Sequence, residues 1–391
     1  MHQIAQRKLD KVNALLDTRK SNNDTFFKGR LGQIFYFYHL YKVTGNISLK
    51  HHLEELLSQV FANVSTTNPT LIGPSISTGG AGLGYVVNFL CQEGALAFDI
   101  NKEFGELDNY LFNAASDLIA KDNIDFLHGA LGVLYYFGER ARTSAHASNF
   151  LNSLTEDICR RAVRVEGGYW FRNNLIRVDD NQIINFSLSH GLCGILLVLI
   201  SIYEVSAHRE LIEETVKEGV RFILKHKMDV DFSNNEYAFF PFMIKDGASE
   251  ISAPNEMGWG YGDLNEVLLF YRAGKMLNDK TLIQLADLIG MQSVMRKDST
   301  SNMVTGTSFC HGAAGLAQFF KTLYMESNCD AYRKGYEYWI EQLILLLDDE
   351  LENGTYTGKE NDYLEGLTGP AFTLLSYVSE LELGWSKVLL L

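Results

Sequence analysis

Seven short apolar runs, each directly after a glycine-rich tetrapeptide, divide the chain into repeats. The tetrapeptide has the form Gly-x-x-Gly, and its instances begin at Gly29, Gly79, Gly129, Gly191, Gly262, Gly312 and Gly366. In the fifth instance Asn265 replaces the second glycine. Successive instances begin 50 to 71 residues apart, and this spacing accommodates two helices of about 15 residues with their loops.

The residues after each tetrapeptide are apolar on nearly all sides, as in GILLVLISIY at 194–203. A helix without a polar face is buried. The segment before each tetrapeptide is amphipathic: Ile212, Val216 and Val220, for example, share one helical face, and charged side chains take the others. Each repeat therefore predicts an outer amphipathic helix followed by an inner buried helix.

Seven such pairs predict an all-α fold, a double-layered α/α toroid (barrel) of seven outer and seven inner helices. Since no linker or change of composition interrupts the chain, we expect one domain over residues 1–391. Glycine at the start of each inner helix tolerates positive φ and lets another backbone approach closely. An open superhelical solenoid is the alternative, which the terminal repeats disfavour because they lack polar capping character.

Two longer inserts, at 165–186 and 229–257, interrupt the repeats and are rich in aromatic residues, glycine and asparagine. This composition is typical of short hairpins or loops. We expect the inserts to decorate one end of the ring.

Composition narrows the class of function. The 34 lysines and arginines against 48 acidic residues give a net charge of −14, which argues against a nucleic-acid binder. No apolar run approaches the ~18 residues that a membrane span needs, and the N-terminus has no signal-peptide pattern. Five scattered cysteines predict a reducing compartment, hence the cytoplasm. We expect a monomer, because the ring uses every apolar face.

Reactive side chains cluster at the tetrapeptides. The segments are DFLHGALG with Asp125, SHGLCG with His190, GWGYGD with Tyr261, FCHGAAG with Cys310 and His311, and LEGLTG with Glu365. In a closed repeat, equivalent positions face one central cavity. The sequence therefore predicts that side chains as distant as Asp125 and His311 become neighbours.

Adjacent Cys310 and His311 offer a thiolate and an imidazole, a donor pair that suits Zn²⁺. His190 is a candidate proton donor or acceptor near neutral pH, and Asp125 a candidate base or orienting carboxylate. Each also has a structural interpretation: a packed cysteine, a capping histidine and a charge at a helix N-terminus. For Glu365 the favoured interpretation is a charge that interacts with the N-terminus of a helix. Packing roles are predicted for two further residues, His128 and Cys193.

The SHG, WxYG and CHG segments, in this order and among seven repeats, resemble the lanthionine synthetase C-like family, the lanthipeptide cyclases. The resemblance covers essentially the whole chain. It implies an α,α-toroid with one zinc ion, held by two cysteines and a histidine. It also implies thioether ring formation, by addition of a peptide cysteine to dehydroalanine or dehydrobutyrine. A dehydrated precursor peptide is then the substrate, and a lanthipeptide dehydratase the expected partner.

The resemblance assigns roles residue by residue: Cys310 and His311 are metal ligands, and His190, Asp125 and Tyr261 are catalytic. The first zinc cysteine of the family lies between Trp and Tyr-Gly, where this chain has Gly260. A basic residue often found four positions earlier is Glu256 here. The sequence therefore predicts a cyclase with an altered or impaired zinc site.

Three explanations of Gly260 stay open. Another side chain completes the site, with Asp263, Glu256 and Cys193 as candidates; the protein is an inactive peptide-binding scaffold for a dehydratase and cyclase complex; or Gly260 is a strain-specific or engineered loss. A different enzyme class, an α/α-toroid glycoside hydrolase, needs two carboxylates about 5–10 Å apart. Asp125, Asp263 and Glu365 are the candidates for that pair.

Overall fold

A computed structural model describes residues 1–18, 21–175, 177–178, 181–245, 251–252, 254–379 and 381–391. Its sixteen α-helices within these residues are α1 His2–Thr18, α2 Arg30–Thr44, α3 Ile47–Val64, α4 Gly80–Gln92, α5 Ile100–Glu103, α6 Gly105–Ala120, α7 Ala130–Arg140, α8 Ala145–Arg160, α9 Leu192–Ile202, α10 Arg209–Lys225, α11 Leu264–Met276, α12 Lys280–Met295, α13 Ser299–Asn302, α14 Ala313–Ser327, α15 Asp330–Glu352 and α16 Thr368–Ser379. None of the described helices is long and apolar enough to cross a lipid bilayer.

The predicted alternation of helices is present throughout the described residues. The helices that follow the tetrapeptides are α2, α4, α7, α9, α11, α14 and α16, and α9 is buried at every position from Leu192 to Leu199. The amphipathic helices are α1, α3, α6, α8, α10, α12 and α15. In α10 the predicted face of Ile212, Val216 and Val220 is buried, which confirms the hydrophobic pattern as the cause of the pairing.

Close backbone approach explains most of these glycines, whereas Gly262 of the fifth tetrapeptide has the expected positive φ, at +102°. At the four glycines that cap α2, α7, α9 and α14, φ lies between −144° and −120°, so the expectation of positive φ there is wrong. The second glycine of the tetrapeptide lies against a carbonyl oxygen six residues earlier. A Cβ at Gly315 would lie 1.8 Å from the oxygen of Phe309, and one at Gly194 would lie 2.0 Å from that of Leu188. No side chain fits at that distance.

Asn265 replaces the second glycine in the fifth tetrapeptide, and it contacts the equivalent carbonyl oxygen through a hydrogen bond. Its side-chain amide donates a hydrogen bond to the oxygen of Trp259, six residues earlier, at 3.0 Å. Its Oδ1 accepts the backbone N–H of Leu188 at 2.8 Å. The loss of glycine is therefore offset by a hydrogen bond to the group that a Cβ approaches in the other repeats.

The described residues form two compact units. The first comprises Met1–Ile72, Ser77–Val86 and Val304–Leu391. Within it α16 packs against α2 and α14, and α1 packs against α16 and α15, so the first and last helices of the chain are neighbours. The aromatic rings of Phe372 and Trp385 stack at a centroid distance of 4.8 Å in its core.

The second unit comprises Gly73–Ile76 and Val87–Met303. Its inner helices α7, α9 and α11 pack in chain order, and each packs against the outer helix that follows it, α8, α10 and α12. The predicted single domain over residues 1–391 stays a prediction.

The two inserts contain antiparallel strands, as predicted. Strands β1 Val163–Val165 and β2 Gly168–Trp170 form a hairpin, and β3 Arg177–Val178, β4 Asn181–Asn185, β5 Met243–Lys245 and β6 Ile251–Ser252 form a second sheet in that order. Ile184 of β4 pairs with Ile244 of β5, which joins the inserts. Parts of both inserts, at 176, 179–180, 246–250 and 253, lie outside the described residues. Strand β4 leads directly into the turn that carries His190.

Candidate functional site

Asp125 and His190, both in the second unit, occupy the turns before α7 and α9. The carboxylate of Asp125 accepts the backbone N–H of His128 through Oδ1 at 2.8 Å. The backbone N–H of His190 donates to Oγ of Ser187 at 3.1 Å. These hydrogen bonds across three residues fix the turns, so each side chain leaves its turn in a defined direction.

The two side chains form one hydrogen-bonded pair. Nδ1 of His190 lies 2.7 Å from Oδ2 of Asp125. The Asp125 side chain is fully buried, and that of His190 is 23% exposed. Because Nδ1 faces a carboxylate, it carries the proton, and Nε2 becomes the nitrogen that exchanges a proton with a substrate. The pair can therefore work as an oriented general acid or base.

Asn173, which the sequence analysis did not single out, links both members of this pair. Its amide nitrogen donates to Oδ2 of Asp125 at 3.3 Å and to the backbone oxygen of His190 at 3.0 Å. Asn173 lies in the insert at 165–186, outside every glycine tetrapeptide, so no repeat pattern marks it. The local sequence contains no signal that could have found it.

Gly260 and Tyr261 lie beside the segment that precedes His190. The backbone oxygen of Gly260 accepts the N–H of Leu188 at 3.2 Å and lies 3.5 Å from Oγ of Ser189. The ring of Tyr261 stacks on Phe242, with centroids 3.7 Å apart and planes at 13°. Gly260 thus has a structural role through its backbone, and Tyr261 is held by aromatic packing.

Cys310, His311 and Glu365 form a group of potential metal ligands in the first unit. One ligand atom from each lies within 4.8 Å of the others, and Nε2 of His311 is 3.8 Å from Oε1 of Glu365. Cys310 and Glu365 are partly buried and His311 is exposed. Sulfur, nitrogen and oxygen donors together fit a borderline cation such as Zn²⁺.

Backbone hydrogen bonds hold the two segments of this group together. The oxygen of Leu364 accepts the N–H groups of Phe309 and Cys310, each at 2.9 Å. Oδ1 of Asp362 accepts the N–H groups of Leu364 and Glu365, also at 2.9 Å. The thiol and the carboxylate are therefore positioned by their own main chains rather than by chance contact of mobile side chains.

Glu365 is predicted to be a charge that interacts with the N-terminus of a helix, and this stays a prediction. Glu365 precedes the first residue of α16 by three positions, and its carboxylate joins the cysteine and histidine. The cause is the turn at Asp362, which aims the side chain toward the neighbouring segment.

The other candidates have different surroundings. Asp263 is buried and accepts hydrogen bonds from Arg296, at 2.8 Å, and from the backbone N–H groups of Phe239 and Phe240. This structural role disfavours it as a metal ligand or a glycosidase acid. Glu256 lines a small cavity with Tyr261. The predicted packing of Cys193 is confirmed by its complete burial.

His128 differs from its predicted packing role, because it is exposed. Its ring lies parallel to that of His190, with centroids 6.0 Å apart.

Burial alters the chemistry of Cys193 and its neighbour Glu266. The Cys193 thiol lies 3.4 Å from Oε1 of Glu266. Burial raises the pKa of the Glu266 carboxyl well above its usual range, with a further rise from nearby Asp263. Burial also raises the pKa of the Cys193 thiol, and Glu266 adds to that rise. The compact group of potential metal ligands among the described residues is Cys310, His311 and Glu365 and does not include Cys193, so Cys193 is disfavoured as the missing ligand.

The described residues form a mostly helical fold, with an Asp–His pair and a Cys–His–Glu group beside its glycine turns. Comparison with known families is more specific: the family described as "Lanthionine synthetase C-like protein" matches residues 20–390. The chain belongs to this family.

Solved structures agree on the fold. The chain is similar to nisin cyclase, with a TM-score of 0.77, 16% identity, and coverage of 98% of this chain and 97% of that one. This match confirms the predicted α/α-toroid fold class.

Two sugar-processing enzymes are more distant. An unsaturated glucuronyl hydrolase specific for heparin has a TM-score of 0.46 at 10% identity, with 98% of each chain covered. A sugar epimerase from a ruminal bacterium has a TM-score of 0.41 at 11% identity, with 77% of this chain and 86% of that one covered. Such scores do not support a common activity.

Proposed function

We propose that the protein is a lanthipeptide cyclase, which joins peptide cysteine thiols to dehydroalanine or dehydrobutyrine residues and forms (methyl)lanthionine thioether rings. The observation that carries the proposal is the 2.7 Å hydrogen bond between Asp125 and His190, in a chain of the cyclase-like family. The substrate is a dehydrated precursor peptide, and a lanthipeptide dehydratase supplies it. The proposed location is the cytoplasm, and the proposed state is a monomer.

Ring closure needs one new bond and one proton transfer. The peptide sulfur, as thiolate, adds to the β-carbon of the dehydro residue, and the carbon–carbon double bond opens toward the α-carbon and its carbonyl. The resulting enolate takes a proton at the α-carbon. The proton lost by the thiol and the proton gained by the α-carbon balance, so the product has the mass of the substrate.

His190 is the proposed proton donor to the enolate, through Nε2. Asp125 holds the ring by its bond to Nδ1, which keeps Nε2 directed away from the buried carboxylate. Tyr261 is the third proposed catalytic residue, on the strength of the family motif.

Cys310 and His311 are the proposed zinc ligands, one ion per chain. Zinc bound there would keep a peptide thiol deprotonated at neutral pH. Because the chain has Gly260 where the family has a cysteine, the proposed site is an altered one.

The inactive scaffold is the second candidate, and Gly260 is the observation that favours it. A site with only two protein ligands binds zinc weakly, and a protein without zinc would hold the peptide but not close its rings. A glycoside hydrolase is less favoured, because the carboxylate of Asp263 forms a buried ion pair with Arg296.

Ring closure tests the proposal directly. The protein is incubated with a dehydrated, cysteine-containing precursor peptide, and unreacted thiols are alkylated and counted by mass spectrometry, because cyclisation leaves the mass unchanged. We expect wild-type protein to consume thiols faster than peptide alone. Asp125→Asn should slow closure by about 10²–10⁴-fold, the usual contribution of a general acid or base.

The matched control is His146→Ala, an exposed histidine on α8, which should leave the rate unchanged. Peptide that binds the wild-type protein without any loss of thiols would support the scaffold and reject the cyclase. An unchanged rate in Asp125→Asn, with a native circular dichroism spectrum, would reject the Asp125–His190 pair as the proton-donating unit.

A further inference from the structure

Glu365 is the one carboxylate among the described residues that forms a compact ligand group with Cys310 and His311. We infer that Glu365 is the third protein ligand of the metal site. It replaces the first zinc cysteine of the family, whose position in this chain is Gly260. This inference rests on the proposed zinc site at Cys310 and His311, and it answers which side chain completes that site.

The chemistry of the group fits this role. A carboxylate oxygen is an ordinary zinc ligand, with bonds of about 2.0–2.2 Å, and zinc sites in enzymes combine it with imidazole or thiolate donors. One ion can reach donors within 4.8 Å of one another with small side-chain movements. Two adjacent ligands alone do not enclose an ion, whereas a third from a separate segment does.

Charge supports the same assignment. A thiolate from Cys310 and a carboxylate from Glu365 bring two negative charges to a doubly positive ion, and His311 is neutral as a ligand. Two cysteines and a histidine bring the same total. Glycine at position 260 removes one negative charge, and Glu365 restores it, so the ion stays neutralised as in a site with two thiolates.

The main chain prepares this arrangement. Cys310 is tied to Leu364, next to Glu365, by a backbone hydrogen bond of 2.9 Å. Two glycines let each segment turn tightly on itself: a Cβ at Gly366 would lie 1.9 Å from the oxygen of Lys359, and one at Gly312 would lie 2.5 Å from Ser308. The side chains of Glu365 and His311 are 43% and 45% exposed, which leaves them accessible to an ion from solvent.

The competing explanation is a surface ion pair between His311 and Glu365 with no role in metal binding. Exposed pairs of this kind contribute little to stability, so a stability measurement does not separate the two. Metal affinity does, because loss of a ligand weakens it more than loss of a neighbouring charge, and only a ligand can be replaced by the thiolate of Glu365→Cys.

The test uses full-length protein stripped with a chelator and titrated with Zn²⁺ against a competing indicator, and with Co²⁺ as a spectroscopic probe. We expect about one ion per chain. Glu365→Gln should weaken zinc at least about 100-fold, since the loss of a second-shell partner alone costs 10–100-fold. Glu365→Cys should retain tight zinc binding and strengthen the thiolate-to-cobalt charge-transfer band. Glu352→Gln, at an exposed glutamate of the same unit, is the control and should change nothing.

Zinc affinity that is equal in Glu365→Gln and wild type would overturn the inference, as would wild-type protein that takes up no zinc. Ring closure is measured in parallel. If wild-type protein closes rings and Glu365→Gln keeps its zinc affinity, this inference fails and the cyclase stands. If zinc depends on Glu365 but no rings form, the cyclase fails and the ligand assignment stands.

Discussion

Two acidic side chains beside glycine turns have opposite environments in this protein. Asp263 is buried, 2.8 Å from Arg296, and accepts two backbone N–H groups. Glu365 is partly exposed beside a thiol and an imidazole. A buried carboxylate that has an arginine partner stabilises the fold, because removal of either charge leaves the other uncompensated. An accessible carboxylate among softer donors can bind an ion, so the surroundings decide the role.

Asn173 is a positioning residue for the acid–base pair, since it donates to Asp125 and to the backbone of His190. Asn173→Ala should slow ring closure by about 5–10-fold, the equivalent of one hydrogen bond of about 1 kcal/mol. The loss should appear in the maximal rate of ring closure, because Asn173 holds the acid–base pair in place.

Asn174→Ala is the control: its side chain donates to the backbone oxygen of Lys121 at 2.6 Å rather than to the pair. A maximal rate that is identical in Asn173→Ala and wild type would reject the positioning role of Asn173.

Each inner helix begins where the chain turns back closely on itself. The second glycine of the tetrapeptide approaches a carbonyl oxygen six residues earlier in five repeats, with contacts of 1.8 to 2.5 Å for a Cβ built on Gly32, Gly132, Gly194, Gly315 and Gly369. This tight turn brings the segment before the helix, with its reactive side chain, against the helix start. The tetrapeptide therefore fixes where each candidate site residue lies.

Gly315→Ala should destabilise the protein by about 3 kcal/mol, at the upper end of the cost of overpacking, because the new Cβ would lie 1.8 Å from a backbone oxygen. Chemical denaturation monitored by circular dichroism measures this change. Gly105→Ala, at the first residue of α6 with open space around its Cβ, should be neutral or slightly stabilising. Equal midpoints for the two variants would contradict the close-approach explanation.

At the scale of the molecule, the net charge of −14 generates an attractive field for basic peptides. Such a field raises association rates, and salt screens it. This long-range field does not distinguish one basic peptide from another, so selectivity must come from contacts at the site.

A precursor peptide with a basic segment should bind several-fold more weakly as ionic strength rises from about 0.01 M to about 0.15 M, since the Debye length falls from about 30 Å to about 8 Å. Fluorescence anisotropy of the labelled peptide measures this dependence. The same peptide with its lysines replaced by glutamine should show little change. Equal salt dependence of both peptides would reject long-range attraction.

The sequence by itself determined the alternation of inner and outer helices. The spacing of apolar residues within each segment predicts whether its helix is buried on all sides or on one side only. The sequence also marked Asp125, His190, Cys310 and His311, since each adjoins a glycine turn. That these four side chains meet in one cavity stays a prediction.

Only the tertiary structure decided the partners of the carboxylates. Glu365 reaches Cys310 and His311, Asp263 pairs with Arg296, and Asn173 joins Asp125 to His190. Each contact joins segments far apart in the chain, and its geometry depends on how the turns between them aim the side chains. Local sequence patterns predict burial and the positions of turns. They do not predict which distant side chain a given carboxylate or amide contacts.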